Sequence, residues 1–359
     1  MEGTTEKEKK QNENVDFEAF KTQVLEDYKL VCLSREASLL GRKEVLTGKA
    51  KFGIFGDGKE LAQIALAKEF RKGDFRSGYY RDQTIMLAIK ELTVEQYFSG
   101  LYAHTDVEIE PQSAGRQMGG HYATRNLDEK GHWKNLMQQR NSSADISPTA
   151  GQMPRLVGLA QASKVYRENK ELSATDLAKN FTNNGNEVAF GTIGDASTSE
   201  GPFWESINAA GVMQIPLVMS VWDDGYGISV PREFQTTKGS ISEALSGMQR
   251  TADKKGYEIF VTKGWDYVHL CQTYEKAVRL AREEHVPVLI HVKEVNQPQG
   301  HSTSGSHERY KSKERLEWEK EYDCIEKFKE WILAFNASGN KIADQKTLES
   351  IHKEAKAMV

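Results

Sequence analysis

Cysteine is scarce: three in 359 residues, at positions 32, 271 and 324, far apart and odd in number. That excludes a disulfide framework and suggests a reducing compartment. None has the spacing of a metal site, so all three are read as buried or half-buried thiols. Long apolar runs are missing too. No uninterrupted stretch approaches the roughly 20 residues a membrane helix needs, so no membrane span is expected. The opening MEGTTEKEKKQNENV is charged and has no apolar core; it is expected to be a disordered tail rather than a signal peptide, covering residues 1–16. Net charge is only −4, which argues against a nucleic-acid binder. The composition fits a cytoplasmic globular protein.

What is present is an alternation of strands and helices. Phe17, Phe20, Val24, Tyr28 and Val31 have helical spacing in a segment 17–41 that leads, through a glycine-rich connection, to a helix ELAQIALAKEF. RSGYYRDQ (76–83) reads as a turn, and the polar, glycine-rich stretch 105–147 as a long loop of the kind that carries function. After Gly151 the pattern sharpens. Strands are expected at 186–195, 215–224, 257–264 and 286–295, with helices between them. Near-continuous apolar strands alternating with helices predict an α/β fold with a doubly wound, mainly parallel sheet covered on both faces. The charged run from 308 onward is expected to be helical, with a solvated face. The division is a tail (1–16), an N-terminal helix and linker (17–50), a ligand-binding α/β domain (51–307) and a helical C-terminal extension (308–359).

Ligands of such sheets gather beyond the carboxyl ends of the strands. Asp195 ends one strand, and Asp223–Asp224 ends the next, Asp224 lying twenty-nine residues beyond Asp195. Adjacent parallel strands place these carboxylates at one edge, where paired oxygen donors suit a hard cation such as Mg²⁺. GDASTSEG leads into a helix N-terminus, which favours an anion. On residue types alone, helix capping by Asp195 and a turn at Asp223–Asp224 explain the same pattern.

Gly194-Asp195 followed by Asp223-Asp224 resembles the thiamine-diphosphate motif, Gly-Asp-Gly and then Asn-Asn about thirty residues on. GRQMGGHY, SPTAGQMP, TSEGPFWESINAAG, DDGYGIS and QGHSTSGSHERYKS occur in the order found in the alpha subunit of thiamine-diphosphate-dependent 2-oxo acid dehydrogenases, the first component of those complexes. The likeness covers residues from about 50 to 312, and GRQM-x-x-HY and HSTS lean toward the branched-chain enzyme. It implies a thiamine-diphosphate-binding fold with helical N- and C-terminal extensions, and oxidative decarboxylation of a 2-oxo acid with transfer of the acyl group to a lipoyl group. Pyruvate or acetoin dehydrogenase is the alternative within the family; a catalytically impaired binding or regulatory subunit is the alternative outside it. The implied partners are a beta subunit or beta domain, which supplies a glutamate to the cofactor, and a lipoyl-bearing acyltransferase component.

Position by position, the resemblance implies that Asp195, Asp224 and the Tyr226 carbonyl hold Mg²⁺. Tyr80 and Arg81 would hold the diphosphate, and Ala196 and Ser197 would offer it amides. Ser147 and Thr149 would touch the aminopyrimidine, and His301 would stand beside the reactive carbon as the catalytic histidine. Two departures stand out. Ala196 replaces a glycine, and aspartates replace both asparagines; Asp224 adds a negative charge beside the diphosphate that Arg81, the metal and His301 are expected to offset. FGDGKE (55–60) is an unbroken Gly-Asp-Gly but follows no convincing strand, and is read as a turn before a helix. Ser302 and Ser304 are expected to lie in a flexible, hydroxyl-rich loop.

Overall fold

The computed structural model describes residues 6–359, with side chains from residue 16. Six strands form one parallel sheet: β1 (Phe75–Ser77), β2 (Asn141–Ser142), β3 (Ala189–Gly194), β4 (Leu217–Trp222), β7 (Glu258–Lys263) and β8 (Val288–Lys293), in the order β2-β1-β3-β4-β8-β7. A small antiparallel hairpin, β5 (Tyr226–Gly227) and β6 (Val230–Pro231), follows β4. The helices are α1 (Glu6–Leu46), α2 (Glu60–Glu69), α3 (Gln83–Ala88), α4 (Val94–Leu101), α5 (Met153–Glu168), α6 (Lys170–Ser173), α7 (Gly201–Met213), α8 (Ile241–Ala244), α9 (Tyr267–Glu284), α10 (Lys313–Glu321), α11 (Cys324–Ala334) and α12 (Gln345–Ala357).

The apolar strands are explained by burial on both faces. Phe190, Val218, Trp222, Val288, Ile290 and Val292 join a core with residues of α1, α2, α9 and α11. Their neighbours Ala189, Ile193, Leu217, Met219, Val221 and Leu289 join a second core with α5 and α7. Alternation of side chains across the sheet thus feeds two cores from one set of strands. The sheet also brings chemistry to one edge. In register, Gly194 of β3 is opposite Trp222 of β4, and the Asp195 amide donates to the Trp222 carbonyl at 3.1 Å. The Asp223 amide likewise donates to Val292 O of β8 at 2.9 Å, so the expected carboxylates emerge from neighbouring strand ends.

Three expectations need correction. Helix α1 begins at Glu6, inside the stretch read as a tail; Lys, Glu and Gln are good helix formers, so a polar composition does not by itself mean disorder. Residues 1–5 lie outside the described residues. The turn RSGYYRDQ and the loop 105–147 hide β1 and β2, strands of three and two residues that are too short to show alternation. Finally, the charged C-terminal run is only partly a solvated face. Lys311 and Glu319 are buried and paired at 2.7 Å, and Arg315 joins them at 2.9 Å.

α9 ends at His285, in the left-handed region at φ 53°. Its buried ring makes a 3.0 Å contact with Gly185 O, and burial, with Arg167 nearby, pushes the imidazole down to about 4. A depressed histidine favours the fold only while neutral. Its contribution is complete above about pH 6.5 and is lost as the pH falls from there to about 4. The urea midpoint should therefore drop across that window. His285→Asn, which tolerates the same backbone, should flatten the slope; an unchanged slope would show that the site carries no linkage.

Candidate active site

The strand ends open into a cleft of about 310 Å³, lined among others by Tyr80, Arg81, Thr149, Asp195, Ala196, Ser197, Asp224, Tyr226 and His301. Nine of the ten expected site residues thus face one space. The tenth, Ser147, is set back: its hydroxyl is 2.8 Å from His121 Nε2, and the His121 ring lies 6.3 Å from that of Tyr80.

Asp195 is buried, and its Oδ2 has no hydrogen-bond partner. Burial, then the negative charges of Asp224 and Asp223, push its carboxyl well above the usual range. A buried oxygen left unpaired beside two acids is costly unless something cationic approaches it. The donor set is two carboxylates and a backbone carbonyl, all hard oxygens, and it fits Mg²⁺ with the remaining ligands coming from elsewhere. Among the described residues no group of three or more His, Cys, Asp or Glu side chains is placed to hold a metal ion by itself.

The two aspartates that replace asparagines have separate partners. Asp223 accepts from Arg232 at 2.9 Å and lies 2.9 Å from His291 Nε2; despite burial, these contacts hold it below its ordinary value. Asp224 Oδ1 accepts from the Tyr226 amide at 3.2 Å, and its Oδ2 pairs with Lys59 Nζ at 3.2 Å. Arg315 donates to the Asp224 carbonyl at 2.7 Å. Arg81, expected to offset Asp224, is instead held by carbonyls: it donates to Phe55 O at 2.7 Å and to His301 O at 2.9 Å. A guanidinium has five N–H groups, so others remain for the cleft that it lines.

FGDGKE is indeed a turn before a helix, but it is not remote from the site. Asp57 accepts from Gln297 Nε2 and the Gln299 amide, both at 3.1 Å. Gly58 sits at φ +87°, where an added Cβ would lie 2.1 Å from Asn296 O; only glycine permits that approach. Gln63 of α2 donates to Arg81 O at 2.9 Å. Lys59, Gln297 and Gln63 escape a motif reading: Lys59 lies in FGDGKE, which reads as a turn, and the two glutamines lie outside the five matched segments. The one signal for Lys59 was the unexplained acid at 224. Ala196 adopts no positive φ, so the missing glycine costs nothing there, and an added Cβ on Gly227 would lie 2.7 Å from the Ala196 methyl.

The His301 loop is tethered rather than flexible. Thr303 N donates to Gly53 O at 3.1 Å, Arg42 donates to the carbonyls of Gln299 and Ser302, and the Ser302 and Ser304 hydroxyls are 2.7 Å apart. Burial, then the Arg81 charge, push the His301 imidazole down to about 4, so it is neutral at pH 7.

The family model described as "Dehydrogenase E1 component" matches residues 28–359. The chain is 28% identical over 308 residues to the 2-oxoisovalerate dehydrogenase subunit alpha of Bacillus subtilis, covering 84% of this chain and 79% of that one. It is 24% identical over 317 residues to the mitochondrial 2-oxoisovalerate dehydrogenase subunit alpha of Homo sapiens, and 23% over 314 residues to that of Mus musculus. These matches cover 88% and 87% of this chain but 61% of each mammalian one. Sheet, cleft and sequence match agree: the chain belongs to the dehydrogenase E1 component family, among the alpha subunits of the 2-oxo acid dehydrogenases.

Proposed function

We propose that this chain is the diphosphate-binding part of a thiamine-diphosphate-dependent dehydrogenase that decarboxylates a branched-chain 2-oxo acid and passes the acyl group to a lipoyl group. The observation that carries this reading is the convergence of Asp195, with its unpaired oxygen, and Asp224 on the cleft that Tyr80, Arg81 and His301 line. Asp195, Asp224 and the Tyr226 carbonyl are the residues to hold Mg²⁺. Thiamine diphosphate, when bound, supplies the electron sink that stabilises a carbanion after loss of carbon dioxide.

The chain's own residues have defined tasks. Arg81, fixed by two carbonyls, presents its remaining N–H groups to phosphate oxygens, and Tyr80 lies beside it. Backbone amides of Ala196 and Ser197 add donors at the turn leading into α7. Thr149, which lines the cleft, would border the aminopyrimidine, with Ser147 set behind it against His121. His301, neutral at pH 7, presents a ring nitrogen to the cleft that can take up a proton, becoming an imidazolium until it gives the proton back. As an alpha-type chain it is read as acting with a beta subunit or beta domain, which would activate the far end of the aminopyrimidine, and with a lipoyl-bearing acyltransferase component as acceptor. Among the described residues no helix is long and apolar enough to cross a membrane. With three free cysteines, the reading is of a protein working in the reducing cytoplasm.

The test is turnover of the chain assembled with its beta part, using 3-methyl-2-oxobutanoate and pyruvate in parallel and following reduction of an artificial electron acceptor. The expected kcat/KM is at least about tenfold higher for the branched substrate, a difference of about 1.4 kcal/mol. Exclusive use of pyruvate would overturn the branched-chain assignment. Failure to decarboxylate either, with no thermal stabilisation by thiamine diphosphate and Mg²⁺, would mark a non-catalytic subunit.

A further inference from the structure

Lys59 is buried, yet it belongs to none of the motifs that define the cleft. It stands at the N-cap of α2, behind the site rather than in it, where a cation has no favourable interaction with the helix dipole. Such a lysine needs partners, and it has three: Asp224 Oδ2 at 3.2 Å, Gln297 Oε1 at 2.6 Å and Asn296 O at 3.4 Å. Gly58 allows the approach, and the buried Asp57–Gln297 bond fixes the amide so that its oxygen faces the ammonium. The other cations around Asp224 make their contacts elsewhere than on its carboxylate. Arg315 bonds its backbone carbonyl and pairs with Glu319, Arg81 is held by Phe55 O and His301 O, and Arg232 and His291 answer Asp223.

We infer that Lys59 is a positioning residue for the cofactor site: it neutralises the carboxylate at 224, so that the Lys59–Asp224 pair presents the diphosphate and metal with the net charge of the neutral asparagine found in the motif. This rests on the thiamine-diphosphate reading above. The pair differs from asparagine in one respect. The lysine occupies one carboxylate oxygen and the Tyr226 amide the other, which orients the carboxylate from two sides. Removing either partner alone leaves a buried charge uncompensated, whereas removing both charges returns a balanced site.

The experiment is a double-mutant cycle of Lys59→Gln and Asp224→Asn in the full chain assembled with its beta part. Thiamine diphosphate is titrated at saturating Mg²⁺ by calorimetry, and melting is followed without cofactor. Lys59→Gln should weaken thiamine diphosphate by about tenfold or more, because a carboxylate without its counter-ion then faces the diphosphate. The double variant should bind within about threefold of wild type, since the pair is replaced by two neutral groups. Without cofactor, each single variant should melt below wild type and the double above both singles. Wild-type affinity in Lys59→Gln, or a double variant no better than Lys59→Gln, overturns the inference. A wild-type enzyme that binds no thiamine diphosphate overturns the cofactor reading itself and this role with it, while the melting cycle still reports whether the two side chains are coupled.

Discussion

Asp195→Asn should make the cofactor-free protein more stable and the cofactor site about a hundredfold weaker, a loss of about 2.7 kcal/mol. The two effects share one cause. Asp195 is a buried carboxyl with an oxygen that no protein group pairs, pushed upward by burial and by Asp224 and Asp223. An amide of the same shape carries no charge and donates N–H groups toward those neighbouring acids. Relief of one unsatisfied buried group is worth about 1 kcal/mol, or one to two degrees in Tm for a chain somewhat larger than those surveyed. If Mg²⁺ and diphosphate occupy the cleft as proposed, the same carboxylate is one of two anionic side chains offered to the metal, and removing its charge forfeits the attraction. Differential scanning calorimetry with and without Mg²⁺ and thiamine diphosphate reads both signs. A variant destabilised in both conditions would show Asp195 to be an ordinary structural carboxylate.

Arg76→Met should cost about 3–5 kcal/mol, enough to unfold many domains of marginal stability. Arg76 is almost wholly enclosed, with Asp82 at 2.6 Å, Asp145 at 3.0 Å and Ser142 Oγ at 2.7 Å. Methionine would fill the space but leave two buried carboxylates with no cation. Asp145, whose carboxyl burial already pushes upward in the native network, would lose the guanidinium that offsets that push. The network also shapes the turn before the cleft. Arg76 donates to Tyr79 O at 3.3 Å, and Asp82 accepts from the Tyr79 amide at 3.3 Å, on either side of Tyr80 and Arg81. The expected result is a large drop in the urea midpoint together with weakened cofactor binding. Arg76→Met/Asp145→Asn should recover part of the stability by removing one stranded charge. If Arg76→Met alone unfolds at the wild-type midpoint, the network is not holding the turn.

The parallel sheet was legible because four strands carry apolar residues on both faces, a pattern only a doubly covered sheet requires. Asp195 and Asp224 were legible because they sit at strand ends in a recognisable order. Lys59 was not, for a physical reason: a counter-ion is defined by where the chain folds back, and positions 59 and 224 meet only through the packing of α2 against the sheet. β1 was hidden by brevity, and the buried Lys311–Glu319–Arg315 cluster by composition, since a charged helix reads the same whether it faces water or other charges. The turn FGDGKE was correctly read by itself but not for what it touches.

The contact between α1 and the C-terminal helices has a consequence for the birth of the molecule. Tyr28 packs edge-on against Phe328 at 6.0 Å, three hundred residues later, and Phe17 and Phe20 meet Phe335. At the pace of synthesis in a cell, roughly 15–60 s separate the emergence of Tyr28 from that of Phe328. During that interval the apolar stripe of the first helix has no native cover from α11. The chain therefore completes this part of its core only near the end of its translation.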